Sequence, residues 1–135
     1  MNRALMLLLL CAAYVAVLTP PSTWRLSGAS PFDPLAPRPR EVEELIVAGR
    51  FTDALPLANA LGQAYPEEPL VAYWRATVHH ALGQAESEAA AWETYVRVSH
   101  APAEACPAWP NAYLRLGQTQ HAREAAERCT RFEQP

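Results

Sequence analysis

The residues best suited to chemistry in this chain are four histidines and three cysteines, and their spacing argues against a catalytic or metal site. His79 and His80 are adjacent, and consecutive residues of a helix point about 100° apart, which makes it hard for both to bind one ion. Cys106 and Cys129 each lack the second cysteine and the adjacent histidine of a haem-attachment motif. We therefore predict no metal, no cofactor and no enzymatic activity.

The composition predicts an all-α protein. Half of the 135 residues are apolar, alanine is abundant, and all eleven basic residues are arginines. Alanine, arginine and glutamate favour helix, whereas strand-favouring β-branched residues are sparse after residue 20. The formal charge of −3 is not offset by a local basic cluster, so we do not expect nucleic-acid binding.

Three glycines organise the region after residue 40. Gly49, Gly83 and Gly117 are separated by 34 residues each time, a period typical of helical repeat arrays. Apolar residues recur at fixed offsets on both sides of each glycine, as expected for the inward stripes of two helices. Each unit is therefore predicted to be a helix, a turn and a second helix.

The first unit resembles the tetratricopeptide repeat (TPR) family. The segment Gly49-Arg50-Phe51-Thr52-Asp53-Ala54-Leu55, followed by Pro66, is similar to the family's turn, second helix and closing proline. The resemblance covers about Pro37 to Pro135. The second unit keeps Ala76, Leu82, Gly83, Trp92 and Tyr95, and the third keeps Tyr113, Leu116, Gly117 and Ala122. The resemblance to the TPR family implies that residues 40–135 form a short α-solenoid of antiparallel helix pairs.

The later units depart from the family pattern. Glu88 replaces a small residue, and His100 stands where proline is usual. Pro110 occupies a position where the family has a small residue, and Pro107 precedes it. Because proline is tolerated only in the first turn of a helix, the first helix of the third unit should start near Pro110 and be short.

Three repeats are about the minimum for a stable array, so further stabilisation is expected from a partner at the end of the stack or from a disulfide. Cys106 lies eleven residues before Gly117 and Cys129 twelve after it, which brings them to nearly the same level of an antiparallel hairpin. In an oxidising compartment this pair is predicted to form a disulfide. The alternative is two buried thiols.

In the TPR family, the first helices of the units line a partner-binding groove. The resemblance implies that nine residues face it: Arg40, Glu43, Tyr73, Trp74, Thr77, His80, Asn111, Leu114 and Arg115. Two adjacent aromatics cannot both face one core, and exposed aromatics are common binding anchors, so we give Tyr73 and Trp74 most weight. The alternative is that Trp74 packs between units. A clamp for a peptide carboxylate is not expected, because the chain has no lysine and places Glu43 at one equivalent position.

Residues 19–39 are predicted to be an extended, proline-rich linker. Six prolines in this stretch preclude a regular helix and favour a semi-rigid tether. The simplest interpretation is a spacer. Alternatively, the linker docks on a neighbouring protein through its apolar side chains, which are Trp24, Leu26, Phe32 and Leu35.

Residues 1–18 are predicted to be a signal anchor, that is, a single transmembrane helix. The run from Ala4 to Leu18 carries no charge, and no small-residue cleavage site follows it closely. A cleaved signal peptide or a lipid on Cys11 are the alternatives, since fifteen helical residues span only about 22 Å. All three alternatives place the rest of the chain outside the cytoplasm, and we expect a bacterial-type inner membrane with the C-terminal domain in the periplasm.

These features lead to three functional hypotheses. The first is a membrane-anchored scaffold that binds other proteins as an accessory or assembly subunit of a membrane complex. The second is a periplasmic chaperone or biogenesis adaptor that presents its groove to extended clients. The third is an enzyme, which would require turnover dependent on His79 or His80.

Overall fold

The computed structural model describes residues 38–133, which belong to one compact unit and are helical, with no strand in that range. The all-α prediction is confirmed there. The helices are α1 (Pro39–Val47), α2 (Phe51–Ala64), α3 (Pro69–Ala81), α4 (Ala85–Val98), a 3-10 helix (Pro102–Ala105), α5 (Ala108–Arg115) and α6 (Thr119–Phe132). In this part of the chain no helix has the length and apolar character needed to cross a membrane. The predicted anchor, Cys11 and the apolar linker residues Trp24, Leu26, Phe32 and Leu35 lie outside it.

The three glycines form the same turn three times. Gly49, Gly83 and Gly117 have φ values of +70°, +71° and +72°, a left-handed conformation that costs glycine little because it has no Cβ. At each turn the glycine N–H donates to the carbonyl three residues earlier, and the next N–H donates to the carbonyl five residues before it. This pair of bonds is a Schellman motif, which satisfies the last carbonyls of the preceding helix. The turns connect α1 to α2, α3 to α4 and α5 to α6, as the glycine period predicts.

The helix pairs bury two apolar clusters, and α3 contributes to both. The first cluster joins α1, α2 and α3 around Leu61 and Trp74. The second joins α3 to α6 around Trp92, Tyr95 and Trp109. Many of the other buried residues are alanines, so large aromatic rings fill the space that small residues leave open. α3 is therefore packed on two sides, which makes it the central element of the unit.

The first helix of the third unit is short, as predicted. α5 begins at Ala108 and has eight residues, whereas α3 has thirteen. Pro110 is its third residue and is buried, in the first turn, where a missing N–H costs no helical hydrogen bond. The chain before α5 instead forms the 3-10 helix, which packs Ala105 into the second cluster.

A disulfide joins Cys106 and Cys129, in agreement with the predicted pairing. Their Cα atoms are 6.0 Å apart, and the bond links the segment before α5 to the last turn of α6. Cys129 also packs in the second cluster, beside Ala125. The exposed residues of α6 are polar or small, so its outer surface presents no large apolar side chain within the described range.

Removing the disulfide should destabilise the domain. The disulfide joins residues that are 23 positions apart. In the chain-entropy model, closing a loop of this length in the unfolded chain stabilises the folded state by roughly 3 kcal/mol. We expect the Cys106→Ser/Cys129→Ser variant of the full chain to lose about 3 kcal/mol of unfolding free energy in urea titrations. Dithiothreitol should lower the stability of the wild type by a similar amount and leave the variant unchanged. Equal stability of the variant and the oxidised wild type would contradict this.

Candidate partner-binding surface

Tyr73 and Trp74 lie on different sides of α3. Trp74 is 7% exposed and packs in the first cluster with Leu61 and Val71, whereas Tyr73 is 41% exposed. Consecutive helical residues diverge by about 100°, and this separation sends one ring inward and the other to the surface. Trp74 is therefore not available to a partner, and the alternative in which it packs between units describes its position.

Tyr73 is held rigidly by two other aromatic rings. Its ring centroid lies 5.7 Å from that of Trp92 and 6.1 Å from that of Tyr95. Both distances fall in the range in which aromatic pairs attract one another beyond simple burial. The exposed face of Tyr73 is therefore presented at little cost in side-chain entropy, a property of good binding anchors.

The Tyr73 depression is an open cavity of about 350 Å³ at the start of α3. It is lined by Glu68, Pro69, Leu70, Tyr73, Tyr95 and Glu104. Leu70 is 50% exposed and extends the apolar surface of Tyr73 by one helical turn. On the inner wall, burial raises the pKa of Tyr95, and its hydroxyl donates a hydrogen bond to the Glu104 carboxylate, which raises the pKa further.

The other predicted groove residues on α5 line a different depression. Asn111 and Leu114, which is 54% exposed, border an open cavity of about 670 Å³ between α5 and α6. The terminal depression, as we call it, also contains Arg123 and Thr130, so its walls are mixed in polarity. Tyr73 and Leu114 thus do not share a cavity, although both lie on the first helix of a pair.

The remaining predicted residues are near the surface. Arg40 and Glu43 are exposed on α1. Thr77 is half-buried, and its hydroxyl donates to the Tyr73 carbonyl at 3.0 Å, one turn back along α3. Arg115 and His80 are brought together from two different helices by a buried carboxylate.

That carboxylate is Glu88, which is fully buried in the first turn of α4. Arg115 Nη2 donates to Glu88 Oε2. His80 Nδ1 lies 3.1 Å from Oε1, and Trp92 Nε1 donates to the same oxygen at 3.4 Å. A carboxylate only accepts hydrogen bonds when ionised, so His80 is the donor in its contact. The Glu88 network therefore connects α3, α4 and α5 through one charge.

The three members of this network differ in exposure. The Glu88 side chain is 1% exposed, whereas those of Arg115 and His80 are 43% and 60% exposed. The equivalent positions five residues after the other two glycines are buried alanines, Ala54 and Ala122. Arg115 and His80, which are partly exposed, thus bind the buried Glu88 carboxylate and stabilise a charge that would be unfavourable there without partners.

A second polar network connects the last three helices. The Tyr113 hydroxyl donates to Glu93 Oε1 at 2.9 Å, and Arg128 Nη1 lies 3.7 Å from Glu93 Oε2. Burial raises the pKa of Tyr113, and its hydrogen bond to Glu93 adds to this. The Arg128 guanidinium also lies 4.7 Å above the centre of the Trp109 ring, in cation–π range.

Sequence reasoning missed two features of this surface. Leu70 was not among the candidates, although it precedes Tyr73 by three residues and so shares its helix face. Glu88 was noted only as a departure from a family pattern, although a carboxylate where two units have alanine signals a buried ion pair. No group of three or more potential metal ligands occurs in the range that the structure describes. His79 Nδ1 instead contacts Gln84 Oε1 at 2.7 Å.

Comparison of the chain with protein-family models, curated proteins and solved structures finds no match.

Losing Arg115 should destabilise the domain far more than losing an exposed arginine. Arg115→Met leaves the buried Glu88 carboxylate without its main counter-charge, which we expect to cost about 3 kcal/mol of unfolding free energy. The matched control is Arg97→Met. Arg97 pairs with Glu67 at 3.0 Å, with side chains 57% and 71% exposed, so its loss should cost less than about 1 kcal/mol.

A double variant tests whether the unpaired Glu88 charge causes the loss of stability in Arg115→Met. Glu88→Gln in the Arg115→Met background removes the uncompensated charge while keeping the side-chain volume, so it should recover part of the lost stability. Urea titrations of the full-length variants provide the measurement. The interpretation is wrong if Arg115→Met and Arg97→Met cost the same, or if Glu88→Gln lowers the stability further.

Proposed function

We propose that this protein is a membrane-anchored, extracytoplasmic scaffold of the TPR type, whose helix pairs bind another protein as an accessory or assembly subunit of a membrane complex. The observation that carries the proposal is the set of exposed apolar side chains on the first helices of two pairs. Leu70, Tyr73 and Leu114 are each 41% to 54% exposed. Apolar side chains held this openly on rigid helices are typical of protein-binding surfaces.

Three further observations support the repeat assignment. The same Schellman turn recurs every 34 residues, and each turn joins two helices that pack on one another. Helices adjacent in sequence are the main contact partners throughout, which is the contact pattern of stacked hairpins. The exposed side chains of α6 are polar or small, as in the helices that cap a solenoid.

The disulfide supports a location outside the cytoplasm. Cytosolic reductants keep such cysteines as thiols, whereas oxidising compartments preserve a bridge between Cys106 and Cys129. An apolar segment at residues 1–18 followed by a proline-rich stretch fits a signal anchor and a tether. Together they favour a single-pass protein with its helical domain on the periplasmic side of an inner membrane.

The chaperone hypothesis differs in the number of partners. The Tyr73 depression could also accept one apolar side chain of an extended client, because it is open and small. A subunit should contact one protein in a fixed ratio, whereas a chaperone should contact many. In-cell crosslinking distinguishes the two.

A photoreactive residue placed at Leu70, Tyr73 or Leu114 should crosslink to one membrane-complex protein. The same residue at Glu127, which is exposed on α6, is the control and should give no such product. The crosslinked partner should also copurify with the wild type after mild detergent extraction. A single monodisperse monomer with no crosslinked product would contradict the proposal, and a broad set of products would favour the chaperone.

The Leu70→Ser/Leu114→Ser variant should lose the partner without losing the fold. Both side chains are half exposed, so their replacement should change the unfolding free energy by less than about 1 kcal/mol. We expect at least a tenfold drop in recovered partner, since removing exposed apolar anchors costs binding energy directly. Val47→Ser is the matched control, because Val47 is also an exposed apolar residue but lines neither the Tyr73 depression nor the terminal depression. Equal loss of partner in both variants would count against a role for this surface.

A further inference from the structure

A third cavity lies on the other side of α3 from Tyr73. It has a volume of about 350 Å³ and is formed by residues of three helices. Its lining residues are Asn59, Gly62 and Gln63 from α2, Arg75 and His79 from α3, and Ser87 from α4. Arg75 follows Tyr73 by two residues, which is about 200° around a helix, so this Arg75 cavity is separate from the proposed protein-binding surface.

The Arg75 cavity is rich in hydrogen-bond donors and contains no carboxylate. Its walls offer a guanidinium, two side-chain amides, an imidazole and a hydroxyl, whereas none of the described residues that line it is acidic. Ser87 lies in the first turn of α4, where the helix dipole adds a positive potential. These are the groups with which proteins bind small oxyanions.

Arg75 lacks the partner that a charged side chain in this position needs. Its Nε is buried and has no hydrogen-bond partner, and no ion pair to Arg75 is found within residues 38–133. By contrast, Arg50, Arg97 and Arg115 each pair with a carboxylate. Because Nε is closed to solvent, the groups that can meet an anion in the cavity are the Nη atoms of the guanidinium, whose charge no carboxylate of residues 38–133 offsets.

Gly62 leaves the space that the Arg75 side chain occupies. A Cβ at this position would lie 2.7 Å from Arg75 Cδ, closer than real contacts allow, and 3.0 Å from Nε and Nη1. Arg75 therefore packs closely on α2 where the glycine lacks a side chain, and a larger residue there would force the arginine to shift. His79 is oriented by the contact of its Nδ1 with Gln84 at 2.7 Å.

We propose that the Arg75 cavity binds a phosphoryl group, either as inorganic phosphate or as a phosphate monoester. The donors of Arg75, Asn59, Gln63 and Ser87 come from three helices and are more than the two oxygens of a carboxylate can use, which suits an anion with more oxygens, such as a phosphoryl group. The volume is sufficient for such a group with several waters, each of which occupies about 30 Å³ in the liquid.

Equilibrium dialysis of the detergent-solubilised full chain against radiolabelled inorganic phosphate tests the proposal. We expect one saturable site per chain with a dissociation constant near or below about 1 mM. Acetate at equal concentration should compete poorly. Glycerol 3-phosphate should compete, and whether it binds more tightly than inorganic phosphate identifies an ester or the free ion as the preferred form.

Two variants locate the site. Arg75→Gln should weaken phosphate binding by about tenfold or more, since it removes the charge and most of the donors. Gly62→Ala should weaken it similarly by displacing the guanidinium, although alanine favours helix more than glycine and the stability should not fall in parallel. Arg97→Gln is the matched control, because it makes the same change at an exposed arginine of α4 and should leave binding unchanged.

Three outcomes would overturn the proposal. They are no saturable phosphate binding by the wild type, equal binding by the wild type and Arg75→Gln, or a loss in Arg97→Gln as large as that in Arg75→Gln. Circular dichroism of each variant confirms that a loss of binding occurs in a folded chain.

Discussion

The buried charge of Glu88 constrains how the second and third helix pairs can be arranged. A carboxylate in the interior is tolerated only when charged or polar donors reach it, and here they come from α3, α4 and α5. Moving α5 along α4 would separate Arg115 from Glu88 and leave a buried charge without its counter-charge. The buried alanines at the equivalent positions of the other two units carry no charge, so they would not resist such a movement in this way. The network thus fixes the register of the stack at a point where apolar packing alone would allow sliding.

The aromatic rings and the disulfide also stabilise the second and third helix pairs. Trp92, Tyr95 and Trp109 fill the space between α3, α4 and α5, and each is buried against small residues. Packing of this kind contributes most of the stability, because it removes large apolar areas from water. The disulfide then ties α6 to the segment before α5, which has eight residues and is the shortest α-helix of the described range. The pair with the shortest first helix is therefore covalently linked.

Much of the fold follows from spacing along the sequence. The glycine period predicts the three turns, and the nearly equal distances of Cys106 and Cys129 from Gly117 predict the disulfide. The preference of proline for the first turn of a helix predicts the short α5. The divergence of adjacent helical side chains shows that Tyr73 and Trp74 face different environments, but it cannot say which one is buried. That choice depends on where α1 and α2 pack, since their side chains form the cluster around Trp74.

The unpredicted features depend on residues from different units meeting in space. Glu88 and Arg115 are 27 positions apart, and the cavity at Arg75 needs Gly62 from one pair and Ser87 from another helix. A 34-residue period describes what the units share, which is the backbone path and the small apolar residues. Charged groups that occur in only one unit, such as Glu88, carry no periodic signal. In this domain the repeated positions account for the turns and the small buried residues, whereas the positions that break the repeat account for the polar network around Glu88.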